Sequence, residues 1–553
     1  MSVPGEPDLP DEPGTVDVPL SGGEQLVRSS GVVAIGTGLS RLTGLLRTVA
    51  LAYAVGTTFL AEGYNLANTT PNMVYDLLLG GILSATLIPV FVDNVRRRDD
   101  EASDAVLTVT TVALIGVTAL AMAAAPLIIH LYTAGLPADQ ARQEASVAVP
   151  LLLLFLPQVL FYGLTALGTA LLNARRRFAV PAIAPALNNV VVIIMLLTFA
   201  RVAGRRPTIE QVHNDTALLL LLGLGTTAGI VAMTVVLWPA ITRSGARPHW
   251  RFHYRHPAVR TVARLSGWTL GAVAANQAAL LVTLRLLNGP TGEVSAYTYA
   301  FIFFQLPYGL LAVSIMTTFM PELANLAGRG DDARFRARFG QGLRLIALVT
   351  IPAAVGYVFL AQPIISVLLR YGAFNGASAH LTADALVWLA VGLPGFATFL
   401  YVMRGFYARK DTKTPFFLYL LENGLNIALA LALVGRFGLR GVVASYSIAY
   451  TVSAVVAVVV LRRRIGGLGG SALVASLLRI LVAALVMALV VWPISRYVGG
   501  ETGLRGILRV ATATIAGLVV YGGALWLTRS PDLAWVTDRM GRRRAPSGVE
   551  EMP

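Results

Sequence analysis

Residues 174–189 read ARRRFAVPAIAPALNN and residues 408–423 read ARKDTKTPFFLYLLEN. Each opens on an alanine and two basic residues, Ala174-Arg175-Arg176 and Ala408-Arg409-Lys410. Each then places a proline (Pro181, Pro415) and an asparagine (Asn189, Asn423) at the same spacing, an offset of 234 residues. Leu78-Leu79 with Thr86 and Pro89 matches Leu310-Leu311 with Thr318 and Pro321 at an offset of 232. Arg97, Asp99 and Asp100 match Arg329, Asp331 and Asp332 at 232 again. Three matches at nearly one offset describe an internal duplication.

The duplicated unit is built for lipid. Of 553 residues, 56% are hydrophobic and 13% charged, with mean hydropathy +0.68; a soluble domain carries about 25% charge. Apolar runs of about 20 residues, enough to cross a hydrocarbon core, recur from Val27 to Leu527. They are continuous rather than alternating, which predicts helices and not a barrel. The expected spans are 27–55, 62–93, 104–133, 144–173, 178–201, 215–242, 258–287, 293–327, 338–368, 379–408, 414–435, 440–461, 471–495 and 502–528. Six spans separate equivalent points of the duplication. Six is even, so the two copies keep one orientation, and a substrate site is expected between them. The fold class is therefore an all-α polytopic membrane protein of about 14 transmembrane helices. Two parallel six-helix repeats, 27–256 and 257–465, are followed by two extra helices within 466–529. Residues 1–26 and 530–553 read as tails. Paired repeats of this kind suit alternating access better than a static channel.

The loops set the orientation. One alternating set of loops holds 22 basic residues and the other 9; the richer set is expected in the cytoplasm, with both termini. In a soluble protein the net charge of +15 would suggest nucleic acid. Here the arginines orient the chain and meet anionic lipids, so no nucleic acid partner is expected. Cysteine is absent, excluding disulfides and thiolate chemistry. His249, His253 and His256 share one arginine-rich loop without metal-ligand spacing, so no metal is expected. The first 24 residues are acidic and proline-rich and lack the basic start of a secretory signal. No loop exceeds about fifteen residues, which argues for a transporter rather than an enzyme with an extramembrane active site. No cofactor is implied.

Several segments resemble the MurJ/MviN family of lipid-linked precursor flippases. Leu39-Ser40-Arg41-Leu42-Thr43-Gly44-Leu45-Leu46-Arg47 is similar to that family's first helix. Pro71-Asn72 followed by Gly81, Ser84 and Pro89 is similar to its second. Leu369-Arg370-Tyr371-Gly372-Ala373-Phe374 and Gly405-Phe406-Tyr407-Ala408-Arg409-Lys410-Asp411-Thr412-Lys413-Thr414-Pro415 resemble later segments. The resemblance implies translocation of lipid II, the undecaprenyl-diphosphate-linked peptidoglycan precursor, from the inner to the outer leaflet of the bacterial plasma membrane. It implies cell-wall synthesis proteins as partners, and a groove for the lipid tail formed by the last two helices. Two positions depart from the family pattern: Tyr75-Asp76 where basic residues are common, and Phe301-Ile302 with Gln305 where charges are common. A flippase for another polyprenyl-linked oligosaccharide and a cation-coupled multidrug exporter of the same superfamily stay open as alternatives.

Arg41 and Arg47 lie within the first span. A mid-bilayer arginine costs roughly 2.5–3.5 kcal/mol on insertion scales, so it faces a cavity or a partner. A diphosphate is a suitable partner because guanidinium grips phosphate in bidentate fashion. A structural pair with Glu62 or Asp76 is the competing reading. Arg28 joins the substrate-binding candidates, with snorkelling as its other role. Asn65, Asn68, Asn72 and Asp76 form one polar stripe on the second helix and, with Glu62, complete the substrate-binding set. Glu422 and Asn426, one turn apart, are candidates for a coupling ion.

Overall fold

A computed structural model describes residues 23–77, 91, 99–204, 206–245, 249–253, 267–467 and 470–534. Among them the only regular elements are helices. The first half comprises α1 (Gly23–Val55), α2 (Phe59–Tyr75), α3 (Asp100–Ala123), α4 (Ala125–Thr133), α5 (Ala138–Phe155), α6 (Gln158–Ala174), α7 (Ala179–Ala203), α8 (Ile209–Asn214), α9 (Thr216–Val235) and α10 (Trp238–Arg243). The second comprises α11 (Gly267–Leu287), α12 (Glu293–Pro307), a π-turn (Tyr308–Ala312), α13 (Val313–Gly328), α14 (Asp332–Leu369), α15 (Gly376–Val391), α16 (Leu393–Ala408) and α17 (Lys413–Ile465). Then come α18 (Gly470–Tyr497) and α19 (Gly503–Leu527).

Ten of the described helices or helix runs are long and apolar enough to cross a bilayer, or eleven when the α15–α16 pair, bent by 48°, is taken as one span. The 53-residue α17 is two rods. At a rise of 1.5 Å per residue it would run to roughly 80 Å, far beyond a hydrocarbon core of about 30 Å. Gly438 breaks it at φ 54°, ψ −134°. Ser445 Oγ then donates to Asn426 Oδ1 across 2.9 Å, which nineteen residues of straight helix forbid. The chain therefore doubles back as a hairpin. With α1 and the helix beginning at Phe59, every one of the fourteen expected segments has a helical counterpart.

The duplication is written into the backbone. Asp99 and Asp331 cap α3 and α14 with nearly the same dihedrals, accepting from Ala102 N at 2.8 Å and Arg334 N at 3.0 Å. Arg176 and Lys410 both take the left-handed conformation, at φ 58° and 59°. Beside them, Arg177 N donates to Leu172 O and Asp411 N to Phe406 O, at 2.8 and 3.0 Å. This is the six-to-one closure of a helix end, kept at both copies although a non-glycine residue there costs roughly 1–2 kcal/mol. Interhelical contacts repeat too. A Cβ on Gly36 would stand 2.7 Å from Ala182, and one on Gly271 would stand 2.7 Å from Phe416. The lack of a side chain lets α1 lie on α7 and α11 lie on α17. The segment 78–90, with Pro89, lies outside the described residues.

Helices α18 and α19 pack on each other and on α14. Tyr521 Oη donates to Leu348 O across 2.8 Å. The chain stays folded past residue 530: Asp532 is 3% exposed, accepts from Arg344 Nε at 2.9 Å, and bonds Ser476 Oγ.

Candidate functional site

At one end of the molecule the two lobes close on each other. The α1–α2 loop meets the loops before α12 and α15. Ala373 N donates to Tyr53 O at 2.9 Å, Tyr299 Oη to Gly56 O at 2.9 Å, and Thr57 Oγ1 lies 2.7 Å from Ser378 Oγ. Gly56 (φ 62°) and Gly292 (φ 80°) make the contact tight. A Cβ on the first would sit 2.6 Å from Ala373 O, and one on the second 2.2 Å from Thr57 O. Both positions exclude any larger residue.

Glu62 completes this seal. Gly292, the N-cap of α12, has no side chain to cap the helix. Glu62, fully buried on α2, supplies the cap from the other lobe. Its Oε2 accepts from Val294 N (2.9 Å), and its Oε1 accepts from Ser295 N (2.9 Å) and Ser295 Oγ (2.5 Å). A carboxylate at a helix N-terminus meets free N–H groups and the positive end of the dipole. Asn65 Nδ2 donates to the same Ser295 Oγ at 2.9 Å. Glu62 and Asn65 thus hold the lobes together at the seal. Asn72 Nδ2 turns back to Asn68 O on its own helix, at 2.9 Å.

On the interior side of the seal lies a cavity of about 620 Å³. Its walls are mostly second-lobe: Asn276, Gln277, Tyr297, Asn423, Asn426 and Tyr446 among others, with Thr69 and Asp76 from α2 at its edge. Asp76 and Gln277 face each other across the lobes. The positions where this chain lacks the usual charges, Phe301, Ile302 and Gln305, line the same cavity. Glu422 is 1% exposed behind the wall, among Tyr297, Tyr419, Tyr446 and Tyr450, with Oε2 unpartnered. Asn426 is one turn away and already bonded to Ser445.

Arg41 and Arg47 diverge. Arg41 reaches across to the second lobe, where its guanidinium lies 3.4 Å from the Cβ position of Gly309 in the π-turn. Arg47 turns into the first lobe, toward the Tyr64 hydroxyl and Tyr162. Neither forms an ion pair with Glu62 or Asp76 among the described residues. Arg28 lies on α1, with its side chain outside the described part. One cation lies outside the candidate set. Arg404, one of the 22 basic residues expected in the cytoplasmic loops, sits inside α16 near Tyr308, Tyr407 and Tyr419. Arg41 and Arg404 thus approach Tyr308 from opposite lobes. The missed signal was its place four residues before the helix end at Ala408.

An apolar groove of about 430 Å³ runs along the π-turn, between α14 and the last two helices. Leu311, Leu348, Tyr357, Met487, Gly517 and Leu525 are among its lining, and Leu533 is too. Gln305 lines the polar cavity and Leu311 the groove. Tyr308, near the two arginines, falls between these two residues in the chain.

The chain as a whole is similar to known proteins. The chain is 26% identical to a probable lipid II flippase MurJ of Rhizobium meliloti, covering 95% of this chain and 97% of that one. It is 28% identical to a probable lipid II flippase MurJ of Synechocystis, over 94% and 97%. Among solved structures, a lipid II flippase MurJ in an inward closed conformation superposes with a TM-score of 0.72 at 23% identity, over 89% of this chain and 98% of that one. An inward-facing multidrug resistance MATE family transporter shares the fold more distantly, at a TM-score of 0.56 and 16% identity, over 79% and 94%. The family model described as lipid II flippase MurJ matches residues 51–508, so the chain belongs to that family.

Proposed function

We propose that this protein translocates lipid II from the inner to the outer leaflet of the bacterial plasma membrane by alternating access, and that its sealed end faces outward. The observation that carries the reading is that Arg41 and Arg404 both lie near Tyr308, on the helical run whose Gln305 lines the polar cavity and whose Leu311 lines the apolar groove. A lipid-linked sugar has its diphosphate at just such a junction between polar headgroup and apolar tail. The two guanidiniums would clasp the diphosphate from opposite lobes, the cavity would take the sugar-peptide, and the groove would take the polyprenyl chain. Arg47, near Tyr64, would support the first-lobe side of the clasp. The α2 stripe divides its work: Glu62 and Asn65 govern the seal, and Asp76 edges the cavity. Asn68 and Asn72 brace the helix between them. Glu422 and Asn426 form the place for a coupling ion or proton. Both termini lie in the cytoplasm on this reading.

Depletion of the protein followed by assay of lipid II at the outer face tests the proposal. Lipid II should accumulate inward and vanish from the outer face. Accumulation of a different lipid-linked sugar would overturn the substrate assignment.

A further inference from the structure

The seal contains a second buried carboxylate, and its hydrogen bonding is incomplete. Glu144 on α5 is fully buried and packs beside Glu62; a Cβ on Gly63 would stand 3.6 Å from its Cγ. Its Oε2 accepts from Asn288 Nδ2 at 2.9 Å, and Asn288 follows α11 in the other lobe. The second Asn288 N–H points to Tyr132 O at 3.4 Å. Two buried atoms of this pair are left without partners, Glu144 Oε1 and Asn288 Oδ1. Both are acceptors when the acid is ionised, and a buried acceptor left unpaired loses its hydration without replacement. A proton on Glu144 turns one of these acceptors into a donor, and Asn288 Oδ1 is the unpartnered acceptor on the side chain that Glu144 already bonds. A carboxylic acid facing a carboxamide donates its O–H to the amide oxygen while accepting the amide N–H, a reciprocal pair.

We propose that Glu144 is a proton-binding site of the seal: the Glu144–Asn288 pair closes with a proton on Glu144 and releases it to the outer solution when the lobes part. Glu62 provides the contrast. Its two oxygens accept three N–H and O–H donors at a helix N-terminus, so its bonding is complete without a proton. Among the described residues no cation faces Glu144: on its own helix Asp139 and Arg142 pair with each other at the exposed start. The elements packed on α5 bring Glu62 and Tyr64 on α2, His130 and Tyr132 on α4, and Glu210 and His213 on α8; α9 brings none. Of these, Glu62 is the nearest charge, Tyr132 takes part through its carbonyl, and His130, Glu210 and His213 are exposed. Arg285, three residues before Asn288, is exposed as well. Opening separates Glu144 from Asn288 and lets water reach the acid, which can then ionise.

This inference rests on the alternating-access reading, and one experiment separates the two. The chain lacks cysteine, so Thr298→Cys on the cavity wall can report opening of the seal to an impermeant thiol reagent added outside intact cells. Thr291→Cys, exposed at the sealed end, corrects for the reagent's own pH dependence. The corrected labelling should rise with external pH, by up to about tenfold per unit for one linked proton and by at least about threefold between pH 6 and 8. In Glu144→Gln, whose amide completes the same reciprocal pair, labelling should be low and flat. Glu144→Leu, which buries without a charge, serves as a second non-ionising variant and should also be flat. Glu62→Gln should keep a pH slope. Labelling that ignores pH, or a wild-type slope in both Glu144 variants, would overturn the proton site alone. Absence of labelling at every pH would overturn alternating access and this inference with it.

Discussion

Glu62 on α2 accepts both the backbone N–H and the hydroxyl of Ser295 on α12, at 2.9 and 2.5 Å, and so caps a helix in the opposite lobe. Any outward opening must break this cap and leave the N-terminus of α12 to water. Ser295→Ala removes one donor and also orphans Asn65 Nδ2. A hydrogen bond to a charged group contributes roughly 1.5–3 kcal/mol, so the sealed state should weaken by about that amount. Labelling of Thr298→Cys from the sealed side should then increase at least tenfold. Unchanged labelling would show that the cap does not govern the seal.

Arg41 and Arg404 should matter for transport and little for folding. Neither forms an ion pair among the described residues, so Arg41→Ala and Arg404→Ala should reach the membrane with near-native thermal stability yet fail to support growth. Lysine at Arg41 should rescue poorly, because an ammonium lacks the planar fork that holds two phosphate oxygens. If Arg41→Ala instead lowered the melting temperature, and neutralising Asp76 restored both stability and growth, a structural ion pair would replace the clasp.

Orientation is open to direct test with single cysteines. Thr291→Cys should label from outside intact cells, and Thr412→Cys, exposed at the opposite end, should not. Gly292 is unsuitable despite its neighbouring place in the chain, because a side chain there strikes Thr57 O. Asp99 is unsuitable because it caps α3. Reversed labelling would invert the proposed orientation.

Asp532 should hold the last two helices in place. Asp532→Ala leaves Arg344 without its acid and Ser476 without its acceptor in a largely buried setting. Breaking one partner of a buried pair costs about 3 kcal/mol. A clear drop in the melting temperature of the purified protein is expected, larger than that of the exposed-pair variant Arg142→Ala. Equal shifts would show that the Arg344 pair contributes no more than a surface contact.

Much of this fold was legible in the sequence because lipid leaves the chain few options. Continuous apolar runs fix helices, and the paired motifs at Arg176 and Lys410 mark equal backbone turns in each lobe. The hairpin at Gly438 was readable as two spans even though the helix is nearly continuous. Side-chain partners were less legible. The stripe of Asn65, Asn68, Asn72 and Asp76 follows from helical periodicity, but periodicity cannot say that Asn65 meets Ser295, 230 residues away. Arg41 and Arg47 share a helix and a motif, yet they turn to different lobes because their neighbours, Gly309 and Tyr64, come from distant parts of the chain. Glu144 carried no local signal: in Gln143-Glu144-Ala145 it looks like part of a polar helix start, and only the approach of Asn288 makes it notable. Arg404 looked like a loop charge because it falls close to Arg409 and Lys410.

The central claim is that the sealed end must open for lipid II to cross, and Thr57 with Ser378 gives the most direct measurement. Their hydroxyl oxygens lie 2.7 Å apart across the seal, and the chain has no cysteine to interfere. The double variant Thr57→Cys, Ser378→Cys should form a disulfide under oxidant and lock the lobes. Lipid II at the outer face should then fall to the level seen on depletion, and reductant should restore it, while either single variant stays active throughout. Full outer-face lipid II in cells where the cross-link is complete would contradict the account.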